Sequence, residues 1–148
     1  MEILKEALVE PRGLDAVVVG QGAIAGRPVS LFLLQQMATV TSCHKATRDL
    51  PAHTREADVL IVAVGKPELI GREHVKPGAI VIDVGINRVP GTAPGAERIV
   101  GDVKFDEVRA VASAITPVPG GVGPVTVAIL LRSVVEAARK QLGQRRIG

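Results

Sequence analysis

The sequence predicts an α/β fold with a doubly wound parallel sheet in a single domain. Runs of aliphatic, largely β-branched residues without charge are typical of strands that are buried on both faces, and residues 16–19 form one such run. These runs alternate with segments long enough to form helical or loop crossovers, which favours parallel pairing. The chain contains two Phe, no Tyr and no Trp, so we expect a core of Val, Ile, Leu and Ala.

The predicted elements of the first part of the chain alternate between helix and strand. The strands share an aliphatic or β-branched interior and lie at residues 15–20, 39–43, 58–65 and 79–85. The segments around them are predicted as an amphipathic first helix, a second helix and a short polar helix or turn, at residues 2–9, 28–37 and 49–57. Pro77 and Gly78 mark the turn before the fourth strand.

The second part of the chain is less regular. Residues 87–98 are rich in Gly and Pro, fit no helix, and predict an ordered loop or a mobile excursion. A short helix at 106–109, a fifth strand at 111–115 and a stiff loop at 116–124 follow. The last helix repeats apolar residues at helical spacing, namely Val127, Leu130, Leu131, Val134, Val135 and Ala138. We expect this apolar face to pack on the sheet, and residues 141–148 to form a frayed, solvated tail.

Composition narrows the classes of function. The 148 residues suffice for one domain, and the net charge of +3 is too small to imply a nucleic-acid partner. Cys43 is the single cysteine, so the chain can form no internal disulfide, which favours a reducing, cytoplasmic setting. The N-terminus carries acidic residues rather than a basic signal-peptide head, and the apolar runs are too short or interrupted for a membrane span. We therefore expect neither a nucleic acid nor a membrane as partner.

A glycine loop follows the first predicted strand. Gly20, Gly22 and Gly26 give the spacing G-x-G-x-x-x-G, and Pro28 suits the first turn of the next helix. Glycines permit a tight turn with positive φ and let backbone N–H groups approach a pyrophosphate, which the helix dipole also attracts. The spacing is one residue longer than the common dinucleotide-binding fingerprint, so a plain tight turn is the alternative.

Three predicted strands end in glycine, at Gly20, Gly65 and Gly85. In a parallel sheet these glycines lie at the same edge, where ligands bind outside the carboxyl ends of the strands. This coincidence favours a Rossmann-type dinucleotide site. The alternative is that the glycines only make tight turns.

The end of the second strand bears on the choice of cofactor. An Asp or Glu roughly twenty residues past the glycine loop would accept a hydrogen bond from a ribose 2′-hydroxyl. The sequence has no acid at that point and instead has Lys45 and Arg48, which could neutralise a 2′-phosphate and so favour NADP over NAD. The alternative is a solvated basic loop.

Other candidate groups indicate no catalytic or metal site. His44, His53 and His74 have no liganding spacing with each other or with an acid, and we interpret them as surface or capping residues. Asp83 and Asp102 are interpreted as capping or loop-fixing residues. The sequence has no nucleophile elbow, and no P-loop lysine follows the glycine loop.

Five motifs carry a resemblance to a known family. They are VVGxxxxxGRP at 18–28, TVTxCH at 39–44, KPGAIVIDVGINR at 76–88, VGDV at 100–103 and ITPVPGGVGPVT at 115–126. Together they closely resemble the bifunctional methylenetetrahydrofolate dehydrogenase/methenyltetrahydrofolate cyclohydrolase family, over residues 1–138, and the last motif is highly specific. The resemblance implies the family's NADP-binding Rossmann domain, which faces a separate N-terminal domain across a cleft where the folate lies.

The resemblance also implies roles for single residues. Five residues are implied to line the cofactor. Gly20, Gln21 and Gly22 would lie along the phosphates and the adenosine ribose, Lys45 would approach the 2′-phosphate, and Ile86 would contact the nicotinamide end. Those implied to wall the folate side are Pro119, Gly120 and Gly121. The family usually has Gly-Arg-Ser where this chain has Gly20, Gln21 and Gly22, and it usually has Ser at the position of Lys45. Loss of the arginine weakens anion binding, while Lys45 could restore it.

In the complete enzyme, the resemblance implies oxidation of 5,10-methylenetetrahydrofolate with NADP and hydrolysis of the methenyl product. The family's N-terminal domain supplies a Tyr-x-x-x-Lys motif, and this chain has no Tyr, so we expect that domain to be absent and the isolated chain to be inactive. Folate would bind only where such a domain is supplied. The sequence leaves open whether the chain forms a homodimer. Two alternatives are a stand-alone dinucleotide-binding or regulatory module without catalysis, and a structural remnant that binds nothing.

Overall fold

The computed structural model of the chain describes residues 2–93 and 95–144. Its strands are β1 (Asp15–Val19), β2 (Thr39–Cys43), β3 (Val59–Val62), β4 (Ile80–Asp83), β5 (Asn87–Pro90), β6 (Glu97–Val100) and β7 (Ala114–Ile115). Its helices are α1 (Glu2–Glu6), α2 (Gly26–Gln35), α3 (Leu50–Thr54), α4 (Phe105–Arg109) and α5 (Val122–Gln144), with a 3₁₀ turn at Arg72–His74. No helix in this part of the chain is both long and apolar enough to cross a membrane.

The predicted parallel sheet is confirmed. Its five strands lie in the order β2-β1-β3-β4-β7, and each neighbouring pair is parallel. The chain moves outward from β1 to β2 and then returns to the other side of β1 with β3, so the strand order reverses between β1 and β3. Such a reversal opens a crevice at the carboxyl ends of the strands, where ligands bind in sheets of this type.

Strand β1 is buried on both faces of the sheet. Its successive side chains point to opposite faces, as in any strand. Val17 packs in one apolar layer with Leu60, and Val18 packs in the other layer with Leu33 of α2 and Leu4 of α1. Each of these side chains is at most 2% exposed. A ligand can therefore approach β1 only beyond an end of the strand, and the crevice lies at the carboxyl end.

Residues 87–98 contribute to a β-hairpin, which corrects the expectation of a loop or mobile excursion. β5 and β6 pair antiparallel, and buried Asn87 lies opposite buried Val100. The N–H of Gly91 closes the hairpin on the carbonyl oxygen of Ala96 at 2.7 Å. The other residues of both strands are exposed or half-buried, so no apolar alternation marks them in the sequence.

The fifth strand of the sheet is shorter than expected. β7 consists of Ala114 and Ile115, rather than all of residues 111–115. The N–H groups of Val111 and Ala112 both donate to the carbonyl oxygen of Val108, because the backbone there continues the last turn of α4. The expected strand therefore begins only after this turn is complete.

Helix α5 does not pack its apolar face on the sheet, which corrects a further expectation. The apolar side chains of this face are exposed: Val127 58%, Leu130 62%, Leu131 63%, Val134 59% and Val135 50%. The helix contacts α1, where a guanidinium nitrogen of Arg132 lies 3.7 Å from a carboxylate oxygen of Glu2. Residues 141–144 of the expected tail are helical, whereas residues 145–148 lie outside the described residues.

Candidate functional site

Among the described residues, the two larger cavities open at the carboxyl edge of the sheet. The glycine-loop cavity, of about 710 Å³, is bounded by the loops that follow β1, β2 and β3. The proline-loop cavity, of about 330 Å³, is bounded by the loop that follows β4 and by residues 117–124. Both volumes are in the range of cavities that hold small molecules.

The loop after β1 is closely packed against its neighbours. Gly20 has a φ of +101°, and a Cβ there would collide with the carbonyl oxygen of Ala63 in the loop after β3. Gly26 opens α2, and a Cβ there would collide with the carbonyl oxygen of Gly20. A Cβ on Gly22 would meet no atom within 4 Å, so this glycine keeps the middle of the loop open. The loop thus exposes backbone to the cavity, as a phosphate-binding turn requires.

Gln21 turns its side chain towards the protein. Its Nε2 donates to the carbonyl oxygen of Val18 at 3.2 Å and to the hydroxyl oxygen of Ser30 at 3.3 Å. Ser30 is buried in α2 and donates in turn to the carbonyl oxygen of Gly26 at 2.9 Å. Gln21 lines the glycine-loop cavity and also fastens the loop to α2.

The glycine-loop cavity has a basic lining. Arg27, Lys45 and Lys66 line it, and no acidic residue does so in the described part of the chain. The turn that presents Lys45 is fixed by His44, whose Nδ1 accepts a hydrogen bond from the N–H of Ala46 at 3.2 Å. A cavity of this charge favours an anionic ligand and suits phosphate groups in particular.

The structure brings together some of the predicted cations and adds others. The sequence indicates Lys45 and Arg48. Both are exposed, but only Lys45 lines the cavity. Sequence reasoning missed Arg27 and Lys66. Each directly follows a glycine at the end of a predicted strand or loop, and that position is the signal that could have identified it.

The proline-loop cavity collects the other predicted site residues. Ile86 is 67% exposed and lines it just beyond β4, while Pro119, Gly120 and Gly121 line it next to α5. A Cβ on Gly121 would lie 2.5 Å from the carbonyl oxygen of Pro117, so the loop has no room for a side chain there. Among the described residues none lines both cavities, and the predicted site therefore divides into two groups.

Two buried carboxylates fix the loops beside these cavities, as the sequence predicts. Asp102 is fully buried and accepts hydrogen bonds from the N–H groups of Val64, Gly65 and Lys66 at 2.7, 2.9 and 2.9 Å. Asp83 is 2% exposed and accepts three backbone N–H bonds, including that of Asp102 at 3.0 Å. Burial raises the pKa of Asp83, while the three N–H donors act in the opposite direction.

The proline-loop cavity offers no free acid–base side chain among the described residues. Asp83 lines it, but backbone N–H groups occupy its carboxylate. The hydroxyl of Thr126 donates to the carbonyl oxygen of Val122 at 3.0 Å. Within residues 2–93 and 95–144, no three His, Cys, Asp or Glu side chains are grouped to hold a metal ion. The cavity can hold and orient a ligand, but its own described residues offer no evident proton-transfer group.

Sequence comparison identifies relatives of this chain. Residues 1–142 match the family model described as tetrahydrofolate dehydrogenase/cyclohydrolase, NAD(P)-binding domain. Bifunctional protein FolD of Brevibacillus brevis is 54% identical over 144 residues, which cover 97% of this chain and 49% of that protein. Bifunctional protein FolD of Moorella thermoacetica is 56% identical over 140 residues, which cover 95% of this chain and 48% of that protein. The chain thus spans about half the length of the curated relatives it matches.

Solved structures of the same family superpose closely. The bifunctional enzyme FolD, methylenetetrahydrofolate dehydrogenase/cyclohydrolase, of Campylobacter jejuni has a TM-score of 0.88 at 48% identity, covering 95% of this chain and 48% of that one. The N5,N10-methylenetetrahydrofolate dehydrogenase-cyclohydrolase of Trypanosoma brucei, complexed with NADP cofactor and inhibitor, has a TM-score of 0.89 at 46% identity, covering 96% and 49%. The chain belongs to the tetrahydrofolate dehydrogenase/cyclohydrolase family and corresponds to its NAD(P)-binding domain.

Proposed function

We propose that this chain is the NADP-binding half of an enzyme that oxidises 5,10-methylenetetrahydrofolate and hydrolyses the methenyl product. The observation that carries the proposal is the glycine-loop cavity, where a strand, a glycine turn and a helix meet beside a basic lining. The Trypanosoma brucei relative is solved with NADP. The residues of this chain fit such a cofactor, because Gly20 and Gly26 allow close backbone packing and the lining cations suit phosphates.

Individual residues would divide the work of binding. The backbone of Gly20, Gln21 and Gly22 would lie along the phosphates and the adenosine ribose, and the ammonium of Lys45 would bind the 2′-phosphate. Ile86, in the proline-loop cavity, would contact the nicotinamide end. The bound cofactor supplies a hydride acceptor, and this chain binds it and orients it.

A second domain would complete the folate side. Pro119, Gly120 and Gly121 would form one wall for the folate, and the proton-transfer group would come from a folate-binding domain. The exposed apolar face of α5 supports this partner, because the helix begins at Val122 in the lining of the proline-loop cavity. An apolar face of this size is typical of a surface that docks on another domain.

Purified residues 1–148 test the proposal. Calorimetric titration should show binding of NADP that is tighter than that of NAD, and the chain alone should not turn over 5,10-methylenetetrahydrofolate. Addition of the folate-binding N-terminal half of the Brevibacillus brevis relative should produce NADP-dependent turnover. Turnover by the chain alone, or failure to bind NADP, would contradict the proposal.

A stand-alone dinucleotide-binding or regulatory module is the second candidate. It is favoured by the proline-loop cavity, whose described residues include no free acid–base side chain. This candidate predicts the same binding of NADP but no turnover when the folate-binding half is added. A structural remnant would bind neither NADP nor NAD.

We infer in addition that the chain forms a homodimer in the cytoplasm. β2 is an edge strand of the sheet and is largely exposed, and the neighbouring α2 exposes Leu31 and Leu34. An uncovered edge beside apolar side chains is suited to pairing with a second copy. The buried, unpaired thiol of Cys43 suits a reducing compartment. Sedimentation equilibrium should give twice the mass of the chain, and a monomer at micromolar concentration would contradict the dimer.

A further inference from the structure

The buried carboxylate of Asp102 lies behind one wall of the glycine-loop cavity. The N–H groups of Val64, Gly65 and Lys66 converge on the carboxylate of Asp102. The Nδ2 of Asn87 donates a fourth hydrogen bond to it at 2.8 Å. Four donors on one fully buried carboxylate hold it in a single position, and they also fix the backbone of the loop that follows β3.

This loop is part of the cavity wall. Ala63, Val64 and Lys66 line the glycine-loop cavity. Gly20, the first residue after β1, lies so close to the carbonyl oxygen of Ala63 that a Cβ could not fit between them. A displacement of residues 63–66 would therefore change the space beside the glycine loop and would move the side chain of Lys66.

The end of β4 leaves space for the same carboxylate. A Cβ on Gly85 would collide with the side chain of Asp102. The backbone N–H of Asp102 donates to Asp83 at 3.0 Å, and Asp83 is the last residue of β4. Asp102 is thus held by one strand of the sheet and itself holds the loop that follows the neighbouring strand.

We propose that Asp102 is a positioning residue for the cofactor, which holds residues 63–66 in the shape that binds NADP without touching NADP itself. This inference rests on the proposed function of the glycine-loop cavity. Loss of the carboxylate would leave buried N–H groups without an acceptor, and the loop would move to recover hydrogen bonds elsewhere. The affinity for the cofactor would then fall, because the loop forms part of the wall of the glycine-loop cavity.

The test compares Asp102→Asn with a matched control. The variant keeps the shape of the side chain but replaces one of the two acceptor oxygens by an NH₂ group, which cannot accept the two hydrogen bonds made to that oxygen. In the folded variant, well below its unfolding temperature, calorimetry should show NADP affinity lower by about tenfold. Asp58→Asn is the control, because Asp58 accepts the N–H of Asp15 and a bond from Lys76 at the amino ends of the strands. It should lower Tm and change NADP affinity by less than about twofold.

A second variant covers the case in which Asp102→Asn does not fold. Asn87→Ala removes one of the four donors, and we expect NADP to bind about threefold more weakly, with faster amide hydrogen exchange at residues 64–66. Unchanged NADP affinity in folded Asp102→Asn, or in Asn87→Ala where the first variant is unfolded, overturns the inference and leaves the proposed function standing. Failure of the unmodified chain to bind NADP overturns both.

Discussion

The side-chain amide of Gln21 donates to the hydroxyl of Ser30 at 3.3 Å, so the central residue of the glycine loop is fastened to α2. Its Nε2 is therefore occupied within the protein, although the residue lines a cavity suited to phosphates. A cation here would add charge to the cavity lining.

Gln21→Arg should tighten NADP binding. A guanidinium that reaches a phosphate forms charge-assisted hydrogen bonds, and after discounting for solvent exposure we expect a gain of about three- to tenfold in affinity. Calorimetric titration of both proteins with NADP measures it, and the gain should shrink at high salt. Gln21→Leu is the control for loss of the bond to Ser30 without added charge. Equal affinities for the arginine and leucine variants would contradict the assignment of the phosphates to this loop.

Lys45→Ala should distinguish the two cofactors. Lys45 lines the glycine-loop cavity and is proposed to bind the 2′-phosphate, so its loss should weaken NADP binding by about five- to tenfold and leave NAD binding unchanged. Arg48→Ala is a matched control, because Arg48 is also exposed and basic but lies outside the lining. The proposed role of Lys45 would be wrong if both variants lost the same NADP affinity. It would also be wrong if Lys45→Ala lowered the affinity for NAD as much as the affinity for NADP.

Local sequence patterns predict the sheet but not everything attached to it. The strands β1, β3 and β4 are largely buried on both faces, and residues 16–19, 59–62 and 80–82 form uncharged aliphatic runs that are visible in the sequence. The hairpin of β5 and β6 is missed because most of its residues are exposed, so burial imposes no alternation on them. For α5, helical spacing identifies an apolar face, but it contains no information about what covers that face.

The candidate site shows the same division between local and distant signals. Gly20 and Lys45 can be identified from their spacing along the chain, because the turn and the next strand have predictable lengths. The groups that donate hydrogen bonds to the side chain of Asp102 are separated from it by between 15 and 38 positions in the sequence, so its partners depend on tertiary structure. Sequence reasoning identifies a loop-fixing acid there but cannot say which loop it fixes.

Gly26→Ala should destabilise the fold, whereas Gly22→Ala should not. A Cβ on Gly26 would collide with the carbonyl oxygen of Gly20, and backbone cannot move aside cheaply, so we expect a loss of about 1–3 kcal/mol in the free energy of unfolding. A Cβ on Gly22 would meet no atom within 4 Å. Chemical denaturation of both variants measures the difference. Equal stabilities would show that α2 does not pack on Gly20 in this way.

The ion pair at the amino ends of the strands should make stability depend on acid pH. A hydrogen bond from Lys76, followed by the backbone N–H of Asp15, lowers the pKa of Asp58. A carboxyl with a lowered folded pKa stabilises the protein above its unfolded pKa, which is about 3.9, and this contribution disappears as the pH falls through the folded pKa.

Asp58→Asn should therefore have a lower Tm than the unmodified chain at neutral pH, and the difference should close as the pH falls below about 4. Calorimetric Tm values for both proteins across this range measure it. Lys76→Met should show the same closing difference, because it removes the other partner. A difference that is constant with pH would contradict this role for Asp58.

Gly121→Ala should impair folate chemistry more than cofactor binding. The new Cβ would lie 2.5 Å from the carbonyl oxygen of Pro117 and 2.9 Å from Cβ of Thr116, so the wall of the proline-loop cavity must shift. In an enzyme reconstituted with a folate-binding N-terminal half, we expect kcat/KM for 5,10-methylenetetrahydrofolate to fall by about tenfold or more, with NADP affinity within about twofold.

Gly123→Ala is the control for that substitution, because Gly123 lines the same cavity but a Cβ there would meet no atom within 4 Å. It should retain most of the turnover, since the shape of the loop is unchanged. Two outcomes separate a ligand wall from a structural turn. If Gly121→Ala mainly lowers Tm and the folded molecules keep their kcat/KM, residues 117–121 form a turn that is needed only for folding. If kcat/KM falls in molecules that are fully folded and saturated with NADP, the loop positions the folate, because neither unfolding nor loss of cofactor then explains the lower turnover.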